Sequence, residues 1–341
     1  MKKFIPSIPI LFLFSQNAFS QIRTQNFDFT LPDQKITGSL YKTIKLIDSR
    51  QDTLSVGIIQ RGIFNEKTKQ IPKPSFSIQL SNILNALTDS SASDGELLLH
   101  LRQFNFAEVT SSFSEKGYCY IRAELFSKNN DKYQLLDRID SVVLVKAGDV
   151  TIPLLRRSSQ ALSGFIGNNL QKASVDPGFY SFNDIIKMDS LEKIKIPVYN
   201  ASSYTEGLYK TFTSFSNQLP DNQITATIKK EKISNVKMVI DSARSEPVNK
   251  KDIYAIVYKG VPYISTEFGY YRLNKIDGDF HFTGRAKTTA NSGDVVVASI
   301  FFGLIGGLLA SSSDAVFEMR IDHLSGGFIR LKEIKNAGDT P

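Results

Sequence analysis

Apolar positions in the first half of the chain recur with periods typical of both strands and helices. Residues 39–48 are rich in Ile, Leu and Tyr and predict a first strand. From Phe76, apolar residues at i, i+4, i+7, i+8 and i+11 predict a helix that opens at Ser75. A second helix is predicted to start at residues 149–151, with Pro153 in its first turn, where a missing N–H costs little.

Three strands are predicted between those two helices. Residues 117–126 and 133–145 supply two of them. Within 96–108 the apolar positions change from Leu at odd numbers to Phe at even numbers, which predicts a one-residue bulge near 102–103. The order β-α-β-β-β-α predicts an α+β domain over residues 27–173, with an antiparallel sheet that carries both helices on one face.

Short, evenly spaced strands predict a different architecture for the second half, residues 176–341. A Pro-Gly pair at 177–178 marks the boundary, and further turn signals separate the strands. Near the end of the chain, residues 316–334 predict a hairpin around a Gly-Gly turn. We expect this hairpin to pair with the strand at 280–284, which gives a mostly antiparallel β domain.

An uncharged apolar segment interrupts these strands at residues 295–313. Residues 295–310 read VVVASIFFGLIGGLLA, with one polar side chain. Small residues recur there every four positions, and on a helix they form a flat ridge that another backbone can approach closely. The ridge and the bulky residues predicted to share its contact with a membrane or partner are Ser299, Gly303, Gly307, Ser311, Phe301, Phe302 and Leu304.

Two interpretations of this segment stay open. A helix over 295–313 reaches about 28 Å, just short of a ~30 Å hydrocarbon core. It is either buried in its own domain or placed against a membrane or a partner protein, including a second copy of the chain through the small-residue ridge. We favour the second interpretation, as a protruding helix or helical hairpin, because the helix would be apolar on almost all sides.

Residues 1–20 have the pattern of a removable export signal. Lys2 and Lys3 precede an apolar run at 8–14, and Ala-Phe-Ser at 18–20 provides a small-x-small cleavage site. This predicts an exported protein of the periplasm or outer envelope. No cysteine follows the apolar run, so we expect no lipid anchor on an N-terminal cysteine.

Composition narrows the function classes further. The net charge of +7 includes the two lysines of the signal, and Lys and Arg are scattered, so nucleic acid is a poor partner. Cys119 is the one cysteine, which excludes an intramolecular disulfide. The alternation around Cys119 predicts a small buried hydrophobic side chain.

Candidate chemistry is sparse. No phosphate loop, dinucleotide fingerprint, nucleophile elbow or metal-ligand spacing occurs, so we expect neither an enzyme nor a cofactor. The cluster Asp48, Arg50 and Asp52 predicts a solvated turn with a local ion pair, or else a partner-binding loop. We predict that the three histidines lie at the surface or at a sheet rim: His100, His281 and His323.

Tyrosines cluster in the second half, at 254, 258, 263, 270 and 271. Tyrosines on a sheet usually form cross-strand packing. The functional alternative is an aromatic platform for sugar rings, which we place on Tyr254, Tyr258 and Tyr263.

Two resemblances carry expectations of their own. Ile-Asp-Ser-Arg at 47–50, the β-α-β-β-β-α order and the helix entered through Asp-Val-Thr at 149–151 resemble the periplasmic auxiliary subunits of envelope ABC transport systems. That resemblance implies a binding or adaptor role without catalysis. The phrases GLYKTFTSFSNQLP, IYAIVYKGVPYIS and YYRLNKIDGDFHF resemble a pattern in uncharacterised exported proteins of Bacteroidota, which implies a Gram-negative envelope.

The sequence therefore supports two main hypotheses. The first is a non-catalytic, envelope-associated adaptor or auxiliary protein that contacts a membrane or partner through residues 295–310. The alternative is a periplasmic or surface binding module for a glycan or another ligand that uses the tyrosine-rich sheet. An enzyme with an unfamiliar carboxylate site is a third hypothesis.

Overall fold

The structure, a computed structural model, describes residues 23–61, 66–110, 115–229, 232–285 and 316–334. Its first-half strands are β1 Arg23–Phe27, β2 Tyr41–Asp48, β3 Gly57–Arg61, β4 Glu66–Pro72, β5 Gly95–Thr110, β6 Glu115–Asn129 and β7 Lys132–Ala147. The helices α1 Phe76–Leu87 and α2 Thr151–Gly167 match the two predicted helices.

Within the described residues, seven strands form a mixed sheet around β5. β6 and β7 continue antiparallel on one side of β5, whereas β2 and β3 pair parallel with successive parts of its other side. The α+β class is confirmed, and the three successive strands β5, β6 and β7 are antiparallel as predicted. The sheet as a whole is mixed rather than antiparallel, because β2 pairs parallel with β5. The chain passes through α1 between β2 and β5, and a crossover of this kind brings the next strand back in the same direction.

The helices α1 and α2 pack on one face of this sheet, as predicted, and together they cover the first hydrophobic core. The predicted bulge is confirmed, since the register of β5 against β6 shifts between Leu101 and Gln103. The shift keeps Leu101 and Phe104 in the same core. Cys119 is 0 % exposed, as predicted, and burial raises the pKa of its thiol to about 12.

Three short helices connect the halves: α3 Phe182–Ile186, α4 Met188–Lys193 and α5 Pro197–Asn200. Of these, α3 and α4 cover part of the other face of the first sheet. Ile185 and Met188 pack there against Leu98 and Phe126 in a separate apolar cluster. The polypeptide thus stays on the first sheet to about Lys193, beyond the Pro-Gly pair that marks the boundary in the sequence.

The second half is built of short antiparallel strands, as predicted. Its described elements are β8 Gly207–Tyr209, α6 Phe212–Ser216, β9 Ile224–Lys229, β10 Lys232–Val239, β11 Ser245–Pro247, a 3-10 turn Lys250–Asp252, β12 Ala255–Tyr258, β13 Val261–Thr266, β14 Gly269–Arg272, β15 Asn274–Ile276, β16 Asp279–Gly284, β17 Val316–Ile321 and β18 Phe328–Ile334.

These strands form three stacked layers. The middle sheet, β8-β12-β13-β14, packs one face against the sheet β15-β16-β17-β18 and the other against β9-β10-β11. Alternation along β12 explains the layering, because Ala255 and Val257 enter one core while Ile256 enters the other.

The last hairpin pairs where the sequence predicts it. β17 is antiparallel to β16, with Gly284 opposite Phe317, and β18 continues the sheet. The apolar segment at 295–313, with all of its ridge residues, lies outside the described residues, as does the predicted signal at 1–20. None of the helices that the structure describes has the length and apolar character needed to cross a bilayer.

Candidate functional site

The face of the first sheet that points away from α1 and α2 carries ionisable side chains that are almost fully buried. His100, Arg102, Arg122 and Glu124 are each at most 5 % exposed. His100 and Glu124 are cross-strand partners of β5 and β6. Arg102 is the extra residue of the bulge, which turns its side chain onto the same face. The prediction that His100 lies at the surface or rim is therefore wrong, because this face is the contact between the two halves.

Arg102 is the centre of an ion-pair network across that contact. Its guanidinium donates to Glu124 Oε1 at 3.0 Å, to both oxygens of Glu192 at 3.1 and 2.8 Å, and to Asp189 Oδ1 at 2.5 Å. His323 Nε2 lies 2.9 Å from Glu192 Oε2. His323 is 5 % exposed, so its predicted surface position is also wrong. The network joins β5 and β6 to α4 and to the turn after β17.

A second buried pair lies beside the first. Arg122 donates two hydrogen bonds to Asp322, at 2.9 and 2.7 Å, in the bidentate geometry that makes Arg–carboxylate pairs strong. Asp140 lies 3.1 Å from the same guanidinium, and Ser325 Oγ donates to Asp322 Oδ2 at 2.6 Å. Because Asp322 directly follows β17, this pair attaches the last hairpin to the first sheet.

These contacts keep the carboxylates ionised. Burial alone raises the pKa of Glu192, but hydrogen bonds from His323 and Arg102 outweigh it and hold the pKa at about 2. Burial likewise raises the pKa of Asp322, and the stronger effect of the Arg122 hydrogen bonds holds it well below its usual range. Each buried cation is thus matched by a carboxylate that keeps its charge at neutral pH.

A polar cavity of about 170 Å³ opens between the halves at this network. Its lining is Ser49, Gln51, Arg102, Gln103, Arg122, Asp189, Lys193, Asp279, Arg320, Ile321, Asp322, His323 and Ile329. Donor atoms of Asp189, Glu192 and His323 lie within 4.8 Å of one another, the spacing of a metal site. Arg102 already donates to both of those carboxylates, so the charge balance favours an ion-pair network over a cation site.

Ser49 lines this cavity and contacts the buried ionisable residues through His100. It follows β2, and its backbone N–H donates to Leu101 O at 2.9 Å, which places it beside His100. Ser49 Oγ lies 2.9 Å from His100 Nε2, and His100 Nδ1 lies 3.1 Å from Glu124 Oε2. Ser49 is exposed, whereas the imidazole and the carboxylate behind it are buried.

The charged cluster at 48–52 has a structural role. The predicted ion pair is present, because Arg50 Nε and Nη2 donate to the two oxygens of Asp48 at 2.9 and 2.8 Å. The turn is solvated as predicted at Ser49 and Gln51, but Arg50 is 4 % exposed and its side chain belongs to the interior. Its guanidinium also donates to Ser55 O and lies 4.5 Å from the centre of the Phe76 ring.

The three tyrosines of the predicted platform do not share an exposed face. Tyr254 packs in the core between the middle sheet and β15–β18, and its hydroxyl donates to Gly326 O at 2.8 Å. Tyr258 and Tyr263 belong to the core on the opposite side, where Tyr263 is 5 % exposed. Tyr254 and Tyr263 are therefore packing residues rather than a surface for sugar rings.

A wider cavity of about 680 Å³ lies between β10 and β14. Three aromatic residues line it, Phe268, Tyr270 and Tyr271, together with the exposed cations Lys250 and Arg272. Tyr270 and Tyr271, two of the five clustered tyrosines, thus line a cavity, although the predicted sugar platform did not include them.

Comparisons with known proteins add little to this geometry. No family model matches the chain, and no curated protein matches it. One similar solved structure is the crystal structure of a Xanthomonas campestris protein assigned to DUF330. It is 12 % identical, covers 42 % of this chain and 91 % of its own length, and has a TM-score of 0.29. A likeness at that level carries no functional argument.

Proposed function

We propose that this chain is an envelope-associated adaptor that contacts a membrane or a partner protein through residues 295–310. The observation that carries the proposal is the pairing of β16 with β17, in which Gly284 lies opposite Phe317. The chain leaves the sheet after one of these strands and returns at the start of its neighbour. The segment that contains residues 295–310 is therefore attached at both ends to the two central strands of one sheet. A contact made by this segment needs no further domain after it.

The ion pairs between the halves support the same proposal. An adaptor needs a fixed geometry between its contact region and the rest of the molecule. Asp322 follows β17 directly, and Arg122 holds it from the first sheet. The strand to which the apolar segment returns is thus tied to the other half of the protein.

Cell fractionation of the producing bacterium tests the proposal. The full chain is compared with a variant in which a Gly/Ser linker replaces residues 295–310, and with the milder double variant Phe301→Ser/Phe302→Ser. We expect the full chain in the membrane fraction, or cross-linked to a partner, and both variants in the soluble fraction. Val175→Ser/Leu219→Ser is a matched control, because these apolar residues are 98 % and 68 % exposed elsewhere. Identical distribution of all four proteins would refute the proposal.

A second candidate function is glycan binding, favoured by the cavity between β10 and β14. Its volume of about 680 Å³ suits a small ligand, and its half-buried aromatic rings offer flat faces for a sugar ring beside two cations that can pair with an acidic group. Pull-down with cell-wall polysaccharide is expected to weaken on Tyr270→Ala and to be unchanged by Tyr254→Phe. Equal retention of wild type and Tyr270→Ala would exclude this function.

A further inference from the structure

We propose that Ser49, His100 and Glu124 form a nucleophile, base and orienting carboxylate that hydrolyse small polar esters. This activity goes beyond the adaptor function and does not depend on the apolar segment. The three residues come from the end of β2, from β5 and from β6, so no local motif reveals them.

The distances are those that an activated serine requires. Ser49 Oγ and His100 Nε2 are 2.9 Å apart, within reach for transfer of the hydroxyl proton. Glu124 Oε2 lies 3.1 Å from the other ring nitrogen, an ion-pair distance without the angle of a hydrogen bond, so its charge rather than a hydrogen bond stabilises the imidazolium that forms. Arg102 Nη1 donates to Glu124 Oε1 at 3.0 Å and fixes the carboxylate in place.

Exposure assigns different roles to these groups. Ser49 is exposed and lines the cavity of about 170 Å³, so its oxygen can reach a bound molecule. His100 and Glu124 are 1 % and 3 % exposed, so they lie behind Ser49 in the interior of the protein. A serine whose only role is to accept or donate a hydrogen bond to a buried histidine would not need to line a cavity, as Ser49 does.

The cavity indicates the class of substrate. Its small volume admits a short acyl group such as acetyl and excludes a long lipid chain. The lining is polar, and Arg102 and Arg122 contribute to it as members of ion pairs, which favours a substrate with polar groups over an apolar one. We therefore assign a short-chain acyl ester of a polar alcohol as the substrate.

Atoms and charges balance over two steps. Ser49 Oγ bonds to the ester carbonyl carbon while its proton passes to His100 Nε2. The bond from that carbon to the alcohol oxygen then breaks, and the alcohol leaves with the proton from His100. Water repeats the sequence on the acyl-serine, giving its proton to His100 and its hydroxyl to the carbonyl carbon, and Ser49 recovers its proton as the acid leaves.

Labelling of the purified full chain with a fluorophosphonate probe, located by mass spectrometry, tests the nucleophile. Hydrolysis of 4-nitrophenyl acetate and of the palmitate ester is measured in parallel. We expect the label on Ser49 and acetate hydrolysis that falls at least about 100-fold in Ser49→Ala. Ser91→Ala is the matched control, because Ser91 is an exposed serine whose hydroxyl contacts Asp89 instead of a histidine. Ser49→Ala also removes the hydrogen-bond partner of the buried His100, so folding of the variant is checked by a thermal unfolding midpoint that stays well above the assay temperature.

Glu124 acts through His100, so it is tested as a positioning residue. Glu124→Gln is expected to lower kcat about 10- to 100-fold with KM unchanged, and Glu124→Asp to restore part of kcat. Absence of label from Ser49 in the folded protein, or equal acetate hydrolysis by wild type and Ser49→Ala, would overturn the proposal. Faster hydrolysis of palmitate than of acetate would overturn the assigned substrate class.

Discussion

Replacing Asp322 with Asn is expected to destabilise the contact between the two halves strongly. The substitution keeps the size of the side chain and removes the charge that faces Arg122, which is 4 % exposed. Asp140 is then the remaining carboxylate beside that guanidinium, and its side chain is 40 % exposed. Removing one partner of a buried pair typically costs about 3–5 kcal/mol, because the other charge stays buried without compensation.

Urea unfolding measures this cost. With a slope of roughly 2–3 kcal/mol per molar urea, a loss of about 4 kcal/mol lowers the midpoint by roughly 1–2 M. A double-mutant cycle with Arg122→Met isolates the pair, and its coupling energy is expected to exceed about 1.5 kcal/mol. The double variant is expected to be more stable than Asp322→Asn alone, because no unpaired charge remains.

Two results would refute this reasoning. One is a loss below about 1 kcal/mol for Asp322→Asn, the range typical of exposed ion pairs. The other is additivity of the two single substitutions, which would show that the residues do not interact. Lys42→Gln supplies the comparison, because Lys42 pairs with Asp94 at 3.3 Å on the surface and its loss is expected to cost little.

Three further predictions concern single residues. Burial raises the pKa of Glu108 from 4.5 to about 7, so the folded state holds this proton at pH values where the unfolded chain has released it. Relative to Glu108→Gln, the wild-type free energy of unfolding should therefore fall by about 3 kcal/mol between pH 4.5 and 7 in pH-dependent urea titrations. Gly326→Ala should lower the free energy of unfolding by about 3 kcal/mol, because at φ +74 the new Cβ would lie 2.3 Å from Phe212. Gly260→Ala is the control: at φ +72 its Cβ would lie in open space, so the loss should be about 1 kcal/mol. Cys119 should react with a thiol reagent only at the rate of unfolding, and rapid labelling in native buffer would contradict its burial.

The spacing of apolar residues along the chain correctly predicted the features that are set by neighbouring residues. The phase change from Leu101 to Phe104 indicated the bulge, and the spacing from Phe76 indicated α1. β4 was missed because its residues, EKTKQIP, alternate little and are held by pairing with β1 and β3 rather than by their own propensity. The parallel pairing of β2 was missed because register is a long-range property.

The candidate site could not be predicted from the sequence, because its residues are also brought together by long-range contacts. Arg122 and Asp322 are 200 residues apart, and Arg102 and Glu192 are 90 apart. The one available signal was the row of ionisable residues on β5 and β6 opposite their apolar face. Only His100 of this row was interpreted from the sequence, and it was predicted to lie at the surface or at a sheet rim. Such a row is exposed in many antiparallel sheets, and here α4 and the turn after β17 cover it.

The connection between β16 and β17 has a consequence for how this protein can vary. Any polypeptide whose ends meet on adjacent antiparallel strands can be exchanged for a longer or shorter one with little effect on the sheet. Doubling the length of such a connection costs only about 0.6 kcal/mol of closure entropy. Homologues can therefore be expected to carry unrelated sequences between β16 and β17 while the rest of the fold stays the same. A chimaera in which residues 286–315 are exchanged should fold as well as the parent.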